Sequence, residues 1–256
     1  MKTNSLLVLL LTTLVGIVIS VAIGQRLYVE ETHSIEVEFS RDIDDKARVL
    51  EQEIMLNIEV LHALKGVFIS SENVSRAEFQ QVATSFLLRH RNIQALEWVP
   101  KIAADERTAF ENHQRLTHPE FEIIETSVDG NVVSAKERRS YFPILYMEPR
   151  FGNENSLGFD FASNPELVPL LNAARELGTP IATAGVDLVQ VYDQKAVVIF
   201  LAVYEGDSST LIKRRERLSG YVTGVFRIAD MFDSAIKRTW AQGIYYSLED
   251  ICNQQH

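Results

Sequence analysis

The sequence predicts an α+β domain carried on a long N-terminal helix, and three patterns predict it. Residues 6–23, LLVLLLTTLVGIVISVAI, contain no charge. From Ile35 to Phe68 apolar residues recur in steps of three and four, the period of one helix face. After Asn92 the pattern changes to alternation and finishes in three extended runs, the period of strands. With 256 residues, 46% hydrophobic and 23% charged, the chain can bury one large core or two small ones.

The uncharged run just reaches the length of a tilted helix crossing a bilayer. Lys2 precedes it and Arg26 follows, offset by Glu30 and Glu31, so the charge bias toward a cytoplasmic N-terminus is slight. A cleaved signal peptide is the alternative, with Ser20-Val21-Ala22 as its small-x-small site. The run is longer than a usual signal core, which favours an uncleaved anchor. Either way the rest of the chain is exported, to the periplasm or cell exterior.

Ile35, Phe39, Ile43, Ala47, Leu50, Ile54, Ile58, Leu61, Leu64 and Phe68 draw one apolar stripe, with charges filling the other positions. The nearest glycines are Gly24 and Gly66, so the helix can rise from the membrane unbroken, at about 1.5 Å per residue. Its stripe suits the following domain, a second copy, or both, and a homodimer through this stalk is the expected assembly. The helix should end between Gly66 and Ser71. Ser75-Arg76-Ala77-Glu78 is a capping box that opens a second helix, buried through Phe79, Val82, Ala83, Phe86 and Leu87.

IQALEWVPKI at 93–102 alternates as a strand. Residues 103–117 read as a polar helix, FEIIET at 121–126 as a strand, and Asp129-Gly130 as a turn. YFPILYMEP at 141–149 reads as a strand, placed by Pro143 at an edge. Leu157, Phe159 and Phe161 then share one face of an extended segment, while Gly158, Asp160 and Ala162 share the other. Asn164 caps a helix with Pro165 at its first position, and Gly178 ends it. IATAGVDLVQV, AVVIFLAVYE and GYVTGVFRI are sequential strands, the first two joined at Asp193-Gln194-Lys195 and the last two by a polar loop at 205–219. Connections this short make the pairs antiparallel. A helix over 228–238 and a strand in GIYYSLEDI begin a further subdomain.

The chemistry is sparse. The formal net charge is −10 and the basic residues form no stripe, which argues against nucleic acid. One cysteine, Cys252, excludes an internal disulfide. The six histidines stand at no metal spacing, and no phosphate loop, nucleophile elbow or Cys–His pair is present, so no catalysis, metal or cofactor is expected. Asp160 stands out as an acid between phenylalanines. The small residues around it predict room for a donor-rich small molecule, bound by charge-assisted hydrogen bonds. The structural alternative is a contact with Arg175 or with a backbone amide at the helix start. Ala182, with the hydroxyl of Thr183, and Tyr141, Tyr146 and Trp98 are candidates to line the same space.

ALEWVPKI, ERTAFE, YFPILYMEP, LGFDFASNPE, LLNAARELGTPIAT, VVIFLAVYE and GYVTGVFRIADMF follow one another in the order seen in CHASE domains, and the region 93–232 resembles that family of extracytoplasmic sensory domains. The resemblance implies a stalk helix and two PAS-like subdomains, the membrane-distal one binding a small ligand. It divides the chain into an anchor at 1–26, stalk and second helix at 27–92, a sensory domain at 93–228 and an incomplete membrane-proximal subdomain at 229–256. It further implies a second membrane helix and a histidine kinase, diguanylate cyclase or related output, from which this chain is expected to be a truncated piece or natural remnant. In the plant cytokinin receptors the family Asp bonds the ligand base, and Asp160 matches it. The residue before the family Thr offers its backbone there and is a large aliphatic, where this chain has Ala182 beside Thr183. Asp160 is thereby the leading expected ligand contact. The competing expectation is an anchored protein-interaction module with no small ligand.

Overall fold

A computed structural model describes the chain over residues 2–71, 73–187 and 195–237. It divides into two units, Met1–Val49 and the part from Leu50 on. The first unit is helical, the opening part of α1 (Lys2–Ser70), and its surface carries the helix-spaced pairs Asp42–Lys46 and Asp45–Arg48. Half of the side chains of the membrane span expected over 6–23 lie outside the described set. Among the described residues no helix is long and apolar enough to cross a membrane.

In the second unit the last turns of α1 join α2 (Arg76–Leu87). The capping box forms as expected: the Glu78 amide donates to Ser75 Oγ at 3.3 Å, and the Ser75 amide to Glu78 Oε2 at 2.8 Å. Such a cap contributes about 1 kcal/mol. β1 (Ile93–Pro100) and β2 (Ile102–Ala103) follow, then α3 (Arg107–Arg115) and the hairpin of β3 (Ile124–Thr126) and β4 (Val132–Ser134). The hairpin turns at Gly130, whose φ of 80° suits glycine. The expected strand at 141–149 divides into β5 (Ser140–Tyr141) and β6 (Tyr146–Glu148).

The segment holding Asp160 is not a strand. It runs between two short 3-10 turns, Glu154–Ser156 and Phe161–Ser163, with single bridges from Phe159 to Ile124 and from Pro143 to Asp160. Gly158 sets this path. Its φ is +82°, and a Cβ there would lie 2.2 Å from the Glu122 carbonyl oxygen. Gly158→Ala is therefore expected to destabilise the protein by about 1–3 kcal/mol, as left-handed strain adds to the overlap. An unchanged urea midpoint would refute this account of the loop.

α4 (Leu167–Leu177) begins two residues later than expected, with Asn164 Oδ1 accepting from the Glu166 amide, and Gly178 ends it at φ 70°. β7 (Ile181–Ala182) and β8 (Val186–Asp187) replace the single strand expected there, and the turn at 193–194 lies outside the described residues. β9 (Lys195–Tyr204) and β10 (Leu218–Arg227) are the long central strands. The polar loop between them contains a short helix, α5 (Leu211–Glu216), capped by the Thr210 hydroxyl. α6 (Ile228–Lys237) matches the expected helix; the strand expected in GIYYSLEDI lies outside the described residues.

The main sheet is antiparallel, in the order β6-β1-β10-β9-β7, with β8 also pairing with β9. Its two faces are both covered. Leu96, Trp98, Ile199, Leu201 and Val222 meet Leu61 and Leu64 of α1 and Phe79 of α2. Leu61 and Leu64 are fully buried, each contributing about 1.5–3 kcal/mol. Ala95, Val99, Phe200 and Tyr221 on the opposite face meet Phe161 and, on α4, Leu171 and Ala174. The Tyr221 hydroxyl donates to the Leu171 carbonyl at 2.8 Å, fixing α4 to the sheet.

Candidate functional site

The six residues expected to share one pocket occupy three places. Asp160 is fully buried. Its Oδ1 accepts from the Phe142 amide at 2.7 Å and the Ala162 amide at 3.0 Å, and its Oδ2 pairs with Arg138 Nη1 at 2.6 Å. Burial raises its pKa above the ordinary 3.8, with the two amides and Arg138 opposing. Arg138 also reaches Glu125 Oε2 at 2.6 Å, so one guanidinium joins two buried acids. The room predicted beside Asp160 is thus taken by Arg138 and by backbone amides. The bland expectation came nearer, although the partner is Arg138 and not Arg175.

Tyr141 belongs to this network. Its buried hydroxyl accepts from the Arg138 amide at 3.2 Å and from Arg107 Nη1 at 3.4 Å, and both guanidiniums lie over its ring. Arg107 continues to the Ile123 and Ala135 carbonyls and to Glu111. These contacts lock α3, the β3–β4 hairpin and the Asp160 segment into one cover. Its chemistry is that of an ionic staple.

Ala182 and Thr183 stand at the β7 edge of the sheet, away from the Asp160 carboxylate's own hydrogen-bond partners. Ala182 is exposed. The Thr183 hydroxyl accepts from the Val198 amide at 3.0 Å, and the Thr183 amide donates back to the Val198 carbonyl at 2.9 Å. The side chain extends the edge pairing.

Trp98 and Tyr146 do come together. They are directly opposed across β1 and β6, on the face covered by α1 and α2. Phe68 of α1 stacks on Trp98 with centroids 3.9 Å apart, and Phe79 of α2 lies 5.6 Å from Tyr146. Beside them, where α1 ends, is a cleft of about 650 Å³. Phe68, Trp98, Tyr146 and Tyr204 give it aromatic walls, and Ser219 and Glu205 add polar groups. Ser219 Oγ is buried with no hydrogen-bond partner among the described residues. A buried hydroxyl left this way costs free energy until an acceptor or donor reaches it. Lys65 Nζ lies 5.4 Å from the Tyr204 ring centroid, and burial, then the charge of Arg214, lowers its pKa.

One further acid escaped the sequence reading. Glu97 is buried mid-strand on the face covered by α4, between Met147 and Thr223 in register. The Thr223 hydroxyl donates to its Oε2. Burial pushes its carboxyl from the ordinary 4.5 to about 7, the Thr223 bond opposing. An acid among alternating apolar residues was the available signal. Among the described residues no group of three or more His, Cys, Asp or Glu side chains could hold a metal ion.

The main sheet is antiparallel and covered on one face by the last turns of α1 and by α2, and an aromatic-walled cleft opens where α1 ends. The sequence profile of the CHASE domain matches residues 72–256, and the chain belongs to that family of extracytoplasmic sensory domains of signalling receptors. It is 22% identical over 240 residues to a hybrid signal transduction histidine kinase A of Dictyostelium discoideum. The match covers 88% of this chain and 11% of that protein, so the chain spans about a tenth of the relative's length. Among solved structures it is similar to the ligand-binding domain of the Pseudomonas aeruginosa PAO1 amino acid chemoreceptor PctC in complex with GABA. The TM-score is 0.40 and the identity 8%, over 74% of this chain and 59% of the other.

Proposed function

We propose that this chain is the extracytoplasmic small-molecule-sensing region of a membrane-bound receptor, with its ligand held in the cleft at the end of α1. The observation that carries this reading is the unpartnered Ser219 hydroxyl in an aromatic-walled cleft of about 650 Å³, a size usual for small-molecule sites. The walls suit a flat apolar or aromatic body. Ser219 and Glu205 suit a hydrogen-bonding edge.

A ligand there bridges the last turn of α1 and the sheet. It favours one of two arrangements of helix against sheet only if it binds them unequally. In this reading residues 6–23 anchor the chain in the membrane, α1 pairs with a second copy, and the PAS-like sheet domain at 93–228 carries the cleft. The output belongs to a histidine kinase, diguanylate cyclase or related domain of the receptor, and the sensing region binds its compound without turning it over. Asp160, placed by resemblance at the ligand, serves here to hold the cover together through Arg138.

A thermal-shift screen of the full chain in non-ionic detergent, against nucleobases, amino acids and carboxylates, tests this. One compound is expected to raise the melting temperature, and Ser219→Ala to weaken its binding about five- to tenfold. Ser71→Trp, which fills the cleft from an exposed position, should abolish the shift. No shift with any compound, together with a tight protein partner, would replace this reading by that of an anchored interaction module.

A further inference from the structure

Away from the aromatic cleft, one cluster of side chains has more hydrogen-bond donors than acceptors. Thr117 Oγ1 donates its single proton to the Gln114 carbonyl at 3.2 Å. In its 3.0 Å contact with His118 Nδ1 the hydroxyl therefore accepts, which puts the imidazole proton on Nδ1 and leaves a lone pair on Nε2. Two guanidiniums compete for that lone pair, Arg76 Nη1 at 2.5 Å and Arg150 Nη1 at 3.1 Å. One lone pair cannot satisfy both.

Neither arginine pairs with a carboxylate among the described residues. Glu148 acts on Arg76 only at longer range, behind burial and the repulsion of Arg150, which together lower the Arg76 pKa. His118 is held below its ordinary 6.5 by burial first and by the two arginines after it. Two like charges drawn onto one neutral ring are missing a counter-ion. Space for one exists beside Arg150, because His118, Thr117 and Arg150 line a cavity of about 630 Å³, while Arg76 reaches the same imidazole without lining it. Glu120, Glu122 and Glu154 line it as well, and Glu154 Oε2 is engaged by the Gly152 amide at 3.0 Å.

We propose that Arg76, Arg150 and His118 form a binding site for a small oxyanion, a phosphate or phosphomonoester group seated between the two guanidiniums. Its oxygens supply the acceptors that the imidazole lacks, and its charge relieves the repulsion between the arginines. The residues that line this cavity are not those of the aromatic cleft, although Arg76 acts electrostatically on Tyr146 there.

Calorimetric titration of the full chain with inorganic phosphate and with glycerol 3-phosphate, at fixed ionic strength and against a chloride blank, tests it. One saturable site is expected. Arg150→Gln, at an exposed position, should weaken it by about ten- to a hundredfold while leaving the melting temperature near that of the parent. Arg89→Gln, an exposed arginine just past the C-terminal end of α2, should leave the affinity unchanged. Tighter inorganic phosphate identifies a free-ion site, and tighter glycerol 3-phosphate an ester site. No heat above the chloride blank, or equal affinity in Arg150→Gln, overturns the proposal.

Discussion

Arg138→Leu is expected to destabilise the protein by about 3–5 kcal/mol, the largest effect of any single substitution considered, because it strands two buried carboxylates at once. The Asp160 side chain has no exposure and that of Glu125 has 6%. Both accept from the same guanidinium at 2.6 Å. Without it, each must take up a proton or remain charged in a medium that solvates it poorly. The loss should shrink in acid, as protonation removes the stranded charges. Adding Asp160→Asn to Arg138→Leu should restore part of the stability, since one uncompensated charge is then gone. Urea denaturation of the single and double variants measures both effects. Additive losses, or a single-variant cost below about 1 kcal/mol, the range of an exposed pair, would show that the staple bears little load.

Glu97 gives the second large effect, and its sign is opposite to that of an ordinary paired acid. Its folded pKa of about 7 lies above the ordinary 4.5, so between these values the folded state binds the extra proton. Stability from this group is therefore complete below pH 4.5 and falls as pH rises toward 7. The total loss is about 3 kcal/mol, at about 1.4 kcal/mol per pKa unit. Glu97→Gln keeps an acceptor for the Thr223 hydroxyl and carries no charge. Its stability should match the parent near pH 4.5 and exceed it above pH 7. Subtracting the two stability–pH curves isolates Glu97 from Asp160, whose pKa is raised by burial in the same direction. Parallel curves would mean that the Glu97 carboxyl is not desolvated as its place in the sheet requires.

Much of the fold was legible because local rules and packing agree. The three-and-four spacing drew α1, Ser75 and Glu78 marked the start of α2, and Gly178 marked the end of α4. Alternation around Trp98 located β1, and the extended apolar run around Phe200 located β9. Where the reading failed, two structures share one pattern. Leu157, Phe159 and Phe161 alternate as a strand does, yet Gly158 at positive φ turns the backbone and the segment meets its neighbours only through single bridges. The loop at 205–219 looked irregular because a six-residue helix has too few turns to display a period.

The candidate site was legible only in part. Trp98 and Tyr146 were recognised as aromatics with polar tips, but their meeting with Phe68 depends on where α1 crosses the sheet, which no local pattern records. Arg138 sits in the run AKERRS, where nothing in the order of residues distinguishes it from Arg139. Only the fold shows that Arg138 faces Asp160 while Arg139 stays exposed. Asp160 was correctly seen as an unusual acid. Its partner was not.

The account rests on a guest binding where α1 ends, and amide hydrogen exchange of the full chain with and without the stabilising compound tests it most directly. Slower exchange should concentrate at 68–71, 73–74, 145–146 and 203–206, the backbone of the cleft, with the amides of 158–164 unchanged. Protection centred on Asp160 and Thr183, or none beyond the global increase in stability, would contradict it.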